Sequence, residues 1–318
     1  MFPLKAAALQ ISPIFLNRQA TTQKIIEGIE RAAASDCSLV ALGESILPAY
    51  PLWLCRTDGA RFEADDQKEL HSAYLEQAVV VEEGHLDSVL EVAGKLRVAV
   101  VLGIAERASD RGNHTIYCSR VFITSDGRIG SIHRKLVPTY EERLAWGNGD
   151  GAGLVTHRVG PFTVGALNCW ENWMPLARAA LYAAGEDLHI MLWPGSQELT
   201  RDLTRFVARE ARSYVISACG LIREQDLPAD LPHRERMCQQ GETFYDGGSC
   251  IAGPDGQWIV EPVMNREELV VADLDPQEVF RERQNFDPAG HYSRPDVLRL
   301  VVDRRRQTTA EYIDERVQ

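Results

Sequence analysis

Four side chains in this sequence form a complete set for acyl-type chemistry: one thiol, two carboxylates and one ammonium. The thiol is Cys169. The apolar run from Phe162 to Leu167 reads as a strand and ends abruptly in Asn168-Cys169-Trp170, and a helix is predicted from near Pro175 to Gly185. The cysteine therefore falls on a turn between a strand and a helix, where backbone N–H groups are free to meet an anion. Cysteine attacks as the thiolate, and an electropositive turn favours that form. Free cysteine is also among the most buried residue types, so Cys169 gains weight only from its company.

That company begins with Glu44, just past the short apolar run from Leu39 to Leu42. A carboxylate there is partly desolvated, which raises its pKa and suits a general base. Lys135, in His133-Arg134-Lys135-Leu136, falls at the end of the strand expected after the Asp126-Gly127 hairpin turn and could put an ammonium near developing negative charge. Glu141 and Glu142 follow, and one of them could orient the lysine or an attacking water. Taken singly, each reads more simply as a surface charge. Together, Glu44, Lys135 and Cys169 lie at or beyond strand ends, where open α/β sheets carry their active sites.

Strand and helix patterns alternate along the chain to position these groups. Strands are predicted over residues 4–11, 39–42, 98–104, 162–167, 189–193, 215–222 and 269–273. Helices are predicted over 19–34, 203–214 and 276–283, with a polar helical region over 63–95 broken near Gly84. Two hairpins turn at Asp126-Gly127 and Asp255-Gly256. Residues 223–240 are polar, contain proline and resist assignment; residues 290–302 read as extended. The pattern defines α/β layers with a mixed sheet. It leaves open two stacked sheets with helices outside and a single doubly wound sheet.

Composition narrows the function. The 318 residues are 45% hydrophobic and 25% charged, with no linker-like break, which favours one large domain. A net charge of -12 repels phosphate backbones and argues against nucleic-acid binding. The only basic run, Arg304-Arg305-Arg306, reads as a solvated tail. No apolar run reaches membrane-spanning length, and the N-terminus lacks a signal-peptide pattern. Seven scattered cysteines without a C-x-x-C pair argue against a disulfide framework or a structural zinc site and fit a reducing cytoplasm. The eight histidines show no metal-ligand spacing.

The run Cys169-Trp-Glu-Asn-Trp-Met-Pro-Leu-Ala-Arg-Ala-Ala-Leu-Tyr182 resembles the nucleophile motif of nitrilases in the carbon–nitrogen hydrolase superfamily. His133-Arg-Lys-Leu-Val-Pro-Thr139 with Glu142-Arg143, Leu192-Trp-Pro-Gly195, Gly247-Gly-Ser-Cys-Ile-Ala-Gly-Pro-Asp-Gly256 and His291-Tyr-Ser-Arg-Pro-Asp296 fit as well. The resemblance implies an α/β fold of four α-β-β-α layers, with one domain over residues 1–302 and a short charged tail over 303–318. It implies a catalytic set of Glu44, Lys135, Cys169 and Glu142, with neither metal nor organic cofactor. Glu142 is chosen over Glu141 because the family's glutamate directly precedes arginine. Glu171 stands where family amidases carry aspartate, as in nitrilases. Glu141 departs from the histidine that many nitrilases have in this segment.

The implied reaction is hydrolysis of a small-molecule nitrile to acid and ammonia, with some amide as a by-product. Amide hydrolysis, cyanide hydrolysis and a non-catalytic assembly protein of the same fold are the alternatives. Trp170, Thr139, Tyr140 and Tyr50 are expected to line the substrate site. Tyr50 comes from the aromatic loop Pro48-Ala-Tyr-Pro-Leu-Trp53, which reads equally well as core. A homodimer or higher homo-oligomer through the helix after Cys169 is expected. The short C-terminal end makes filaments doubtful.

Overall fold

The first strand displays the plan of the molecule. In the computed structural model, which describes residues 3–238, 241–310 and 313, β1 (Leu4–Gln10) turns Ala6 and Ala8 to one apolar layer and Ala7 and Leu9 to another. A strand buried on both faces must be covered twice, which explains why its sequence is continuously apolar rather than alternating. The chain continues through α1 (Arg18–Ala34) to β2 (Leu39–Leu42), then through α2 (Trp53–Arg56), α3 (Asp65–Gln77) and α4 (Asp87–Leu96) to β3 (Ala99–Arg107). Antiparallel β4 (Ile116–Ile123) and β5 (Ile129–Arg134) follow, joined by the turn at Gly127, whose φ of 78° suits glycine.

The second half opens with β6 (His157–Val159), which turns back into β7 (Phe162–Asn168). Next come α5 (Pro175–Ala183), β8 (Leu188–Trp193), α6 (Gln197–Ala211), β9 (Tyr214–Cys219) and β10 (Leu221–Arg223). After α7 (Arg234–Met237), the hairpin of β11 (Thr243–Ala252) and β12 (Trp258–Met264) leads to β13 (Glu268–Leu274) and α8 (Pro276–Arg283).

These strands make two sheets. One has the order β13-β1-β2-β3-β4-β5; the other runs β10-β11-β9-β8-β7-β6, with β12 paired to β11. In each, the central three strands are parallel: β1-β2-β3 in one, β7-β8-β9 in the other. Between the sheets lies an apolar core from both, in which small side chains such as Ala6, Ala8, Ala41, Ala166 and Ala218 alternate with larger ones such as Phe162 and Ile190. The opposite face of the first sheet packs Val40, Val100 and Leu102 against Ile25 and Ile29 of α1 and Val89 and Ala93 of α4. That of the second packs Met191 and Val215 against Leu203 and Val207 of α6, while Ala177 and Leu181 of α5 cover Leu167. The architecture is the four-layer α-β-β-α sandwich, and the doubly wound alternative is excluded.

Several elements differ from the sequence reading: the strand expected over residues 215–222 breaks at Gly220 into β9 and β10, and residues 290–302, expected as extended, contain turns. Helix α6 begins at Gln197, six residues before the periodicity signals it, because its first turns are polar; Ser196 caps it, its Oγ accepting from the Glu198 N–H at 3.1 Å. Strand β11 starts at Thr243, ahead of the glycine pair that masks it. The polar segment after β10 contains the short α7, and its residues Gln239 and Gln240 lie outside the described ones. The basic triplet is not wholly solvated either: Arg306 pairs with buried Asp150 at 3.1 Å and donates to the Ile132 carbonyl. Among the described residues no helix is long and apolar enough to cross a membrane.

Candidate active site

Three strand ends meet at one point. Glu44 lies two residues past β2, Lys135 directly past β5 and Cys169 directly past β7, so the first two come from one sheet and the third from the other. The sheets touch here through backbone: the Glu44 N–H donates to the Trp193 carbonyl at 3.0 Å. Gly43 permits this approach, since a Cβ on it would stand 2.6 Å from the Gly220 nitrogen and 2.8 Å from the Trp193 oxygen.

The four expected catalytic side chains form one buried cluster. The Lys135 ammonium, fully buried, donates to Glu44 Oε1 at 2.9 Å and to Glu142 Oε2 at 2.7 Å. One oxygen of each carboxylate and the Cys169 sulfur all lie within 4.8 Å of one another. The two carboxylates are engaged differently. Glu142 is fully committed: Oε2 also accepts the Thr139 N–H at 2.6 Å, and Oε1 accepts the Tyr50 hydroxyl at 3.0 Å. Both donors of Glu44, Lys135 and the Cys118 thiol at 3.3 Å, reach the same Oε1. Its buried Oε2 has no partner. Glu44 thus keeps one oxygen free to take a proton.

The electrostatics follow from burial. Desolvation raises the pKa of Glu44, the Lys135 charge pulls it back and the Glu142 charge pushes it up again, leaving it at about 7. Lys135 is held well above its usual value: burial alone would lower it, but Glu44, Cys169 and Glu142 outweigh burial. The Cys169 thiol is also pushed well above its usual value, first by burial and then by the Glu44 charge, against the opposing pull of Lys135 and the Trp170 backbone N–H. This corrects the expectation of a turn-stabilised thiolate. Burial first, and then the two carboxylates facing the sulfur, outweigh the turn's dipoles and favour the thiol over the thiolate.

Cys169 has a φ of 47°, a left-handed backbone conformation that a non-glycine residue adopts at a cost. Buried side chains hold it there. Glu171 accepts the Asn168 N–H at 3.0 Å and the Leu136 N–H at 2.6 Å, and bonds His133 Nε2 at 3.0 Å. The residues flanking Cys169 and Lys135 are thereby tied to one carboxylate. Its pKa is lowered: burial would raise it, but His133 and the two backbone donors prevail. On the other side, Asn172 donates to the Cys169 carbonyl at 2.8 Å, and its Oδ1 meets His189 Nε2 at 2.8 Å. His189 in turn meets Glu186 Oε1 at 2.7 Å.

The expected wall residues divide. Tyr50 reaches the cluster through its hydroxyl and Thr139 through its backbone N–H. The Tyr140 side chain is 82% exposed and that of Trp170 49% exposed, so both face solvent in this chain. The aromatic loop is split: Tyr50 faces the cluster while Trp53 is core, packed edge-on against Tyr74. Two further aromatic rings pack beside Tyr50 that the sequence reading did not place there. Tyr245 stands edge-on to Tyr50 with ring centroids 5.2 Å apart, and Trp146 lies 5.6 Å from Tyr50 with its ring 5.7 Å from the Lys135 nitrogen.

Glu44, Glu142 and Cys169 are also the one trio among the described residues spaced to hold a metal ion. The donor set fits the lysine better. The Lys135 ammonium already bonds both carboxylates and supplies the positive charge a cation would bring.

This fold and this cluster define a class of protein. A family model for carbon-nitrogen hydrolases matches residues 5–284, and the chain belongs to that family. It is 33% identical over 325 residues to an aliphatic nitrilase of Rhodococcus rhodochrous, covering 98% of this chain and 82% of the relative. It is equally identical over 313 residues to a bifunctional nitrilase/nitrile hydratase of Lupinus angustifolius, with 94% and 86% covered. A crystal structure of a carbon-nitrogen hydrolase from Helicobacter pylori superposes with a TM-score of 0.69 at 20% identity, covering 94% of this chain and all of that one, which shows the shared fold.

Proposed function

We propose that this carbon–nitrogen hydrolase is a nitrilase, converting an organic nitrile to the carboxylic acid and ammonia through a covalent intermediate on Cys169. The observation that carries the proposal is the arrangement at Glu44: one oxygen held by Lys135, the other free, beside the Cys169 thiol, whose pKa burial pushes up. Oε2 of Glu44 takes the thiol proton as the sulfur attacks the nitrile carbon, and the proton passes to the nitrile nitrogen, giving a thioimidate. Water adds to the thioimidate carbon, again with Glu44 as base, and forms a tetrahedral species. Glu142 is a poor base because both its oxygens already accept hydrogen bonds, so its role is to hold Lys135. Lys135 and the Trp170 N–H stabilise negative charge on the reacting atoms. The protonated nitrogen leaves as ammonia, and a second water cleaves the resulting thioester to the acid and the free thiol. Expulsion of sulfur from the tetrahedral species would instead release the amide.

Tyr50, Tyr245 and Trp146 make an aromatic wall, which supports substrates with an apolar body behind the nitrile. Assembly of two or more copies through α5 is supported by exposed apolar side chains on it and on neighbouring segments: Leu176 on α5 is 68% exposed, Trp173 just before it 49% and Phe206 on α6 52%. Seven free cysteines, five of them buried, support a reducing cytoplasmic setting. The test is to quench the enzyme during turnover of a slow nitrile and weigh the peptide bearing Cys169. An adduct on that peptide, absent in Glu44→Gln, is expected; turnover without any adduct, or turnover by Cys169→Ala, would refute the mechanism.

A further inference from the structure

The cluster contains a second thiol that the mechanism does not use. Cys118 lies in the middle of β4, fully buried, and meets the reacting groups twice. Its carbonyl accepts the Lys135 N–H at 2.8 Å, fixing the backbone that carries the ammonium. Its sulfur lies 3.3 Å from Glu44 Oε1, the oxygen that also accepts from Lys135 at 2.9 Å. Glu44 Oε2 is left without a partner. A carboxylate with one donor can swing so that either oxygen takes that donor. Two donors converging on one oxygen from different strands fix which oxygen is spent and which remains basic. Apolar packing would not explain this contact, because a buried sulfur facing a carboxylate costs free energy unless its S–H donates.

We infer that Cys118 is a positioning residue for the general base: its thiol donates to Glu44 Oε1, orients the free Oε2 and holds down the basicity of the carboxylate. The inference rests on Glu44 being the base, as proposed above. Burial and the Glu44 charge keep the Cys118 thiol well above its usual pKa, so it stays protonated and able to donate. A donor to the charged form of a carboxylate lowers its pKa, and deleting the donor raises it.

The test compares Cys118→Ala, which removes the donor, with Cys118→Ser, which keeps one. The readout is the pH dependence of Cys169 alkylation by iodoacetamide, followed by mass spectrometry on the peptide bearing Cys169. That rate reports the base–thiol pair whether or not any nitrile is turned over, so failure of the nitrilase reading is registered separately, by assaying the unaltered enzyme on nitriles. In Cys118→Ala the acid limb is expected to move up by about half a pH unit, from a net hydrogen-bond contribution of roughly 0.7 kcal/mol. In Cys118→Ser it is expected to stay in place or move down. If Cys118→Ala does not accumulate folded, Cys118→Val removes the donor while filling the space. An unmoved limb in the donorless variant, or the same upward shift in the serine variant, would overturn the inference. Where nitrile turnover is measurable, the acid limb of kcat/KM should move in the same direction.

Discussion

Replacing Glu171 by alanine should damage stability and catalysis together. The carboxylate is buried and accepts from three groups: the Leu136 N–H, the Asn168 N–H and His133. Its removal leaves two backbone donors and one imidazole facing a cavity. A buried polar group without its partner costs about 1–3 kcal/mol, so for three groups the loss should total roughly 3–9 kcal/mol. That is a large part of the 5–15 kcal/mol that typically separates folded from unfolded states, and it should lower Tm by roughly 10 °C. The backbone at Leu136 adjoins Lys135 and that at Asn168 adjoins Cys169. Relaxation there moves ammonium and thiol relative to each other, and a displacement of about 1 Å can cost roughly 100-fold in rate. Glu171→Gln should lose less, because one oxygen remains while one backbone donor meets an NH2 group. Denaturant titration and kcat measured on the folded fraction test both effects. A stability loss below about 1 kcal/mol with kcat unchanged would refute the view that Glu171 ties the two strand ends together.

Other expectations follow from the same contacts. Because the base must be ionised and its pKa is raised to about 7, first by burial, kcat/KM should fall tenfold per pH unit well below pH 7 and level off above it; a pH–rate profile flat down to pH 5 would contradict the assignment. Lys135→Met removes the charge between Glu44 and Glu142, so a proton should bind between the carboxylates, and kcat should fall by about 100-fold or more; near-native kcat in a folded variant would count against the role given to the ammonium. Leu176→Glu puts a charge on the exposed face of α5 and should shift the protein to smaller species in sedimentation velocity without unfolding it; an unchanged distribution would show that α5 is not an assembly surface.

What the sequence reveals is what is local. Glu44 and Cys169 each follow a run of apolar residues, and a strand end is marked by that change of composition; Lys135 is placed instead by the hairpin turn at Asp126-Gly127 that starts its strand. The choice of Glu142 over Glu141 comes from the resemblance, through the arginine that follows it; the structure adds a physical reason, since Thr139 and Glu142 form a capping box that turns Glu142 inward. What the sequence hides is pairing across distance. Cys118 sits inside a wholly buried strand between apolar residues and is indistinguishable there from core; only the fold brings it to Glu44, 74 residues away. His133 carries no sign that its partner is Glu171 on the other sheet. Tyr245 precedes a glycine pair that disguises the start of β11, and its neighbour Tyr50 lies in a loop whose aromatic residues point two ways. The ionisation of Cys169 is hidden for a similar reason: the turn is local, whereas the burial and the opposing carboxylates that raise its pKa come from the fold.

The central claim is that Cys169, activated by Glu44, opens a carbon–nitrogen triple bond. The most direct measurement incubates the purified protein with a panel of aliphatic and arylaliphatic nitriles and the matching amides, quantifying ammonia, acid and amide separately. Cys169→Ala serves as control. Acid and ammonia in equal amounts from at least one nitrile, absent in the variant, is the predicted result. Hydrolysis of amides alone, or nitrile hydrolysis that survives the loss of the thiol, would contradict the account.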